Sequence, residues 1–119
     1  MDLTLGPHTY TLHATEQAGT ATAYAVRVDT GDRFGIDVTG SSEPEALDTL
    51  TRWLEWQYEH TQALEALQQA ERGYHRALAD AAFATARDSN AVDGSKVSLE
   101  QVDGARKALD DVRGRRPNV

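Results

Sequence analysis

At 119 residues, with a formal charge of −7, no cysteine and 39% hydrophobic residues, the sequence has the size of one domain with a modest core. The composition rules out disulfides, cysteine nucleophiles and thiolate metal sites, and the charge argues against a surface that broadly neutralises nucleic-acid phosphates. No apolar run reaches the roughly 18 residues of a spanning helix, and residues 1–7 lack the basic and apolar regions of a signal peptide, so the expectation is a cytoplasmic chain with no membrane partner.

The first third reads as strands. Residues 2–5 alternate briefly and are cut off by Gly6-Pro7, which leaves two readings, an added edge strand or a loose terminus. Residues 9–15 set Tyr10, Leu12 and Ala14 against Thr11, His13 and Thr15, the alternation of a half-buried strand. Residues 20–29 alternate again, with Thr22, Tyr24, Val26 and Val28 opposite Ala21, Ala23, Ala25 and Arg27. After a tight connection at Thr30-Gly31-Asp32, residues 33–39 place Phe34, Ile36 and Val38 on one side. Short connections favour an antiparallel meander over residues 1–40, and one apolar face per strand requires a cover on one side.

That cover is the helix opening at Ser42. Ser42-Glu43-Pro44-Glu45 combines an N-cap serine, a proline tolerated in the first turn and a glutamate three residues after the cap. After Pro44, residues up to 87 contain no proline and are mostly Ala, Leu, Gln, Glu and Arg, which favour a long helix over 42–87. Leu47, Leu50 and Leu54, with Trp53 adjacent, sit at the spacing that faces a sheet. A continuous helix of this length spans roughly 65 Å, against a diameter of about 35 Å for a compact chain of this size. It must therefore leave the globule, kink or pack on another chain; the polar stretch 57–62 around His60 is the expected point of exit and Gly73 the expected kink.

Further along, an alternation of four and three residues runs through Leu50, Trp53, Leu64, Leu67, Tyr74 and Leu78, but Gln57, His60, Glu71 and Thr85 also occupy its seam. That favours a short bundle over a long zipper. Residues 88–94 are polar and turn-forming and read as a loop. Ser98-Leu99-Glu100-Gln101 is a second capping box, and Leu99, Val102, Ala105, Leu109 and Val112 follow at helical spacing up to Gly114, predicting a final helix over 98–113. It folds back on residues 67–86 as a helical hairpin. Two helices bury only one stripe each, so Trp56, Tyr58, Leu64, Leu67, Tyr74, Leu78 and Phe83 form the candidate interface of a homodimer built on a four-helix bundle. Trp56 and Tyr58 read equally well as covers for the rim of the sheet.

Candidate chemistry is sparse. Counted from Ser89, Asp93, Gly94 and Glu100 fall at positions five, six and twelve of a calcium loop, but Ser89 and Ala91 stand where ligating residues belong, and the expectation is an ordinary capped loop without metal. His8, His13, His60 and His75 contain no pair at helix-face spacing, and Glu71 with His75 reads as a surface pair. There is no nucleophile elbow, phosphate-cradling loop or paired-carboxylate motif, so the sequence points away from catalysis and calls for no cofactor. A pocket site would need a cleft holding His13, Arg27 or Asp37. Residues 96–119 carry 6 basic and 4 acidic side chains against 6 and 15 in residues 1–95. Arg113, Arg115 and Arg116 are therefore the candidate contact for an anionic partner, weighed against their ordinary service at a helix C-terminus.

The strand order followed by Gly40-Ser41-Ser42 and by Glu45-Ala46-Leu47 opening a helix is similar to HicB-like antitoxin domains over residues 9–56. The resemblance implies a β-meander leading into a helix and carries over no site residue.

The reading is one α+β domain over 1–119: an antiparallel meander of three to four strands covered by a long helix, followed by a C-terminal helix forming a helical hairpin. Its expected role is a non-enzymatic interaction, regulatory or adaptor protein acting as a homodimer, with an unidentified protein partner. The alternative is a nucleic-acid-associated, antitoxin-like regulator that uses the basic end.

Overall fold

The computed structural model describes residues 1–83 and 89–118, without the side chains of residues 81, 83 and 89–95. The chain divides into two units, Met1–Tyr58 with Arg116–Val119, and Glu59–Arg115. The boundary falls inside the polar stretch 57–62.

The first unit begins with strands β1 (Asp2–Leu5), β2 (His8–Gln17), β3 (Thr20–Arg27) and β4 (Arg33–Gly40). They form one sheet in the order β1-β2-β3-β4, each neighbour antiparallel. Residues 2–5 are thus an edge strand, in register from Asp2↔Thr11 to Leu5↔His8. Between β2 and β3, Ala18 and Gly19 both take positive φ, 55° and 80°, the two-residue turn whose twist matches its flanking strands.

Tyr10 and Leu12 are buried on β2, as the alternation predicts. On β3 the core face is the small one: Ala21, Ala23 and Ala25 are all 0% exposed, whereas Thr22, Tyr24 and Val26 lie half-buried on the other face. Bulk on the central strand would hold the covering helix away, and three alanines let it close on the sheet. On β4 the expected trio is split. Ala23 pairs with Val38 and Ala25 with Phe34, so Tyr24 alone faces residues 35–37. This bulge keeps Phe34 and Val38 on the core face and turns Ile36 out, 36% exposed.

Helix α1 (Glu43–Phe83) starts where the cap predicts. The Glu45 amide donates to Ser42 Oγ at 3.3 Å and the Ala46 amide to the Ser42 carbonyl at 3.0 Å. The Glu45 carboxylate accepts from the amide and hydroxyl of Ser41, one residue before the cap that the box would predict. Ala46, Leu50, Trp53 and Leu54 then join Tyr10, Leu12, the three alanines and Val38 in one core, with Leu47 and Phe34 against it. The Trp53 indole N–H is buried there without an acceptor among the described residues.

α1 is continuous through Gly73. The predicted turns 84–87 lie outside the described residues. In the second unit, helix α2 (Ser89–Gly114) starts nine residues before the predicted 98, which corrects the loop expected over 88–94 for all its described positions. A glycine inside a helix costs only about 1 kcal/mol, and each residue added to an existing helix gains a hydrogen bond, so local turn propensity loses. Ser98 is consequently an interior residue and not a cap. At the other end, the Arg115 amide donates to the Val112 carbonyl at 3.0 Å, tightening the last turn.

The two helices are antiparallel. Arg113 Nε lies 3.4 Å from His60 Nε2 and Arg115 Nη1 lies 3.6 Å from Glu59 Oε2, so α2 ends where this part of α1 begins. The lengths agree: roughly 35 Å from His60 to Phe83 and roughly 36 Å from Ser89 to Arg113.

Candidate functional site

The hairpin of the second unit is asymmetric in burial. On α2 the inward line of Val102, Leu109 and Val112 is 2%, 3% and 7% exposed. On α1, none of the side chains from Glu59 to Asp80 is fully buried. Leu64, Leu67 and Tyr74 are half-buried, and Leu78 is 42% exposed. Half-buried side chains at His60, Ala63, Leu64, Leu67, Ala70, Glu71, Tyr74 and Ala77 make an α1 stripe wider than one helix can cover. Phe83, the remaining helical residue of the predicted interface, lies outside the described side chains.

At about 100° per residue, the inward line of α2 separates two flanks. Val97, Gln101, Gly104 and Ala108 stand on one, and Leu99, Asp103, Arg106 and Asp110 on the other, all exposed. On α1, Ala63, Ala66, Ala70, Gly73 and Ala77 form one flank, opposite Leu64, Gln68, Glu71 and His75. The contact of Glu59 with Arg115 joins the two small-residue flanks on one side of the hairpin, and that of His60 with Arg113 joins the other two. One side of the hairpin is therefore walled with alanine and glycine, the other with charge. Leu99, expected on the inward stripe, is 42% exposed on the charged flank, and Val97, which the sequence reading passed over, is 53% exposed on the small-residue flank. Its signal was the spacing Val97, Gln101, Gly104, Ala108, legible only once the helix is known to begin before residue 97.

Trp56 and Tyr58 have occupants of their own in the first unit. Tyr58 lies on the β1–β2 turn: a Cβ on Gly6 would fall 2.5 Å from its hydroxyl and 2.9 Å from Cε2, which is rim packing. The Arg116 guanidinium stands over the Trp56 ring, 5.6 Å from its centroid. Arg115 also donates to the Asp111 carbonyl at 3.4 Å, so Arg113, Arg115 and Arg116 each have a contact within the chain.

Each residue named for a pocket has a partner in the sheet or its connections, and two of them lead to Tyr24. His13 stacks on Tyr24 across β2 and β3 with centroids 5.2 Å apart. Asp37 pairs with Arg33 at 3.3 Å, whose guanidinium lies 4.1 Å over Tyr24, and Arg27 pairs with Asp29 at 2.8 Å. Residues 89–100 are helical, so the twelve-residue calcium loop does not form. Among the described residues no group of three or more His, Asp or Glu could hold a metal ion, and no helix is long and apolar enough to cross a membrane. Comparison of the chain with protein-family models, curated proteins and solved structures gives no match.

Proposed function

We propose that this protein is a non-enzymatic interaction module, a cytoplasmic regulatory or adaptor subunit that works as a homodimer through its helical hairpin. The observation that carries this reading is the mismatch of the two helices: α2 buries Val102, Leu109 and Val112 on an inward line where Ser98 and Ala105 are half-buried, while α1 has no fully buried side chain from Glu59 to Asp80. Half-exposed Leu67 and Tyr74, next to the small-residue flank, gain about 25 cal/mol for each Å² of apolar surface withdrawn from water. A second copy supplies that cover with the same side chains, and two hairpins make a four-helix bundle.

The small-residue side is the face offered to the partner. Alanine and glycine let helix backbones approach closely, and Val97 gives that face a large apolar side chain. The opposite side carries Asp103, Arg106 and Asp110, whose desolvation opposes burial. The alternative, an antitoxin-like regulator gripping nucleic acid with the basic end, would use Arg113, Arg115 and Arg116, whose exposed contacts are cheap to exchange; the formal charge of −7 weighs against it.

Because the chain has no cysteine, single thiols report the pairing cleanly. Oxidation of Gly104→Cys, on the small-residue flank, is expected to give a covalent dimer much faster than oxidation of Asp103→Cys, on the charged flank. Equal rates would argue against this face.

A further inference from the structure

Away from the hairpin, His8, Arg27 and Asp29 form a cluster where β2 begins and β3 ends. Arg27 Nη2 lies 2.8 Å from His8 Nδ1 and 3.0 Å from Nε2. A nitrogen that close to both ring nitrogens cannot lie on either lone-pair axis, so the guanidinium rests against the face of the imidazole and neither ring nitrogen is consumed by it. Asp29 stands between the two. Its Oδ1 is 2.8 Å from Arg27 Nε, close but not aligned as a hydrogen bond, and its Oδ2 is 3.7 Å from His8 Nδ1.

We infer that His8 and Arg27 compete for Asp29, and that a proton on His8 moves this carboxylate at the connection between β3 and β4. With His8 neutral, Arg27 holds Asp29. A proton on the ring puts two cations face to face and leaves Nδ1 a charged donor 3.7 Å from Oδ2, so that a short displacement of the carboxylate makes a charge-assisted hydrogen bond. Among the described residues, Arg27 from β3 and Asp29 from the connection are the charged groups in contact with His8; its register partner on β1 is Leu5, which carries no charge.

Asp29 is part of a short, tightly bonded segment. The Arg27 amide donates to the Asp32 carbonyl at 2.9 Å and the Gly31 amide to the Arg27 carbonyl at 2.8 Å. The Val28 amide donates to the Thr9 carbonyl at 3.0 Å. None of these bonds is made by Asp29 itself; they hold the backbone on either side of it, so the amides of Gly31 and Asp32 stand fixed beside its carboxylate and report where that charge sits. The exposed tip formed by Val28, Asp29, Thr30, Gly31 and Asp32 is a proton-responsive surface, its carboxylate drawn toward β3 in one state and toward β2 in the other.

The test follows amide and Arg27 Nε–H resonances of the full-length, isotope-labelled protein across the histidine range, about pH 8 to 5. The amides of Asp29, Gly31 and Asp32 and the Arg27 Nε–H are expected to move together in the wild type, and His8→Gln is expected to abolish the movement. Amides that stay fixed in the wild type, or that move equally in His8→Gln, overturn the inference. The Arg27 Nε–H reading needs no variant: if it does not titrate, Asp29 is not contested.

Discussion

The ring of Trp53 occupies the space that a side chain on Gly35 would need. A Cβ there would fall 2.6 Å from Cζ3 and 3.3 Å from Cη2, and Gly35 itself takes φ +80° at the start of the β4 bulge. Both the backbone and the neighbour therefore demand glycine. Gly35→Ala is expected to destabilise the protein by roughly 2–4 kcal/mol, combining left-handed strain with overpacking. Gly31→Ala, at φ +73° with nothing within 4 Å, should cost only the backbone part. Trp53→Phe removes the crowding ring edge along with a buried N–H that has no acceptor among the described residues, so the double variant Gly35→Ala/Trp53→Phe should lose less than the two single losses together. Urea denaturation checks all four variants; strict additivity would mean that the ring and the glycine are not in contact.

Close approach of α1 to the sheet rests on the alanines of β3. With Ala23 and Leu50 each 0% exposed, changes in either direction are felt. Leu50→Ala should cost about 2–5 kcal/mol through the cavity it leaves, and Ala23→Leu about 1–3 kcal/mol through overpacking. Thermal unfolding decides it: an Ala23→Leu variant as stable as wild type would show that the sheet and helix have slack between them.

The ion pair between Arg115 and Glu59 marks the hairpin's open end without holding it shut. Its side chains are 63% and 54% exposed, and exposed pairs contribute little against water and salt. Arg115→Ala is expected to change stability by less than about 1 kcal/mol, with the difference shrinking as salt rises. A loss of several kcal/mol in denaturant titration would show that the pair does more than its exposure allows.

Much of the first unit could be read from residue types. Period-two alternation located β2 and its buried face, and Ser42 located the start of α1. The alternation of β3 was equally visible, but it does not say which of two faces meets the helix; size decided that, and the small face won over the β-branched and aromatic one. Ile36 was misplaced because a bulge adds residues to β4 without changing the spacing of Phe34 and Val38 in the sequence. In the second unit the stripe through Val102, Leu109 and Val112 was legible, whereas the start of α2 was not, since serine, asparagine, aspartate and glycine locally signal a turn. Missing those helical residues also hid the flank that contains Val97 and Gly104. As for the candidate interface, the chain itself provides contacts for Trp56 and Tyr58, a competition that no single helix reveals.

In the proposed homodimer a second copy completes the hairpin's half-covered α1 stripe. Light scattering coupled to size exclusion tests it most directly. The expected particle has twice the 13.0 kDa chain mass at micromolar concentration, reduced to the single-chain mass by Val97→Glu with helical content unchanged. A wild-type particle that stays at 13.0 kDa from micromolar to millimolar concentration would contradict it.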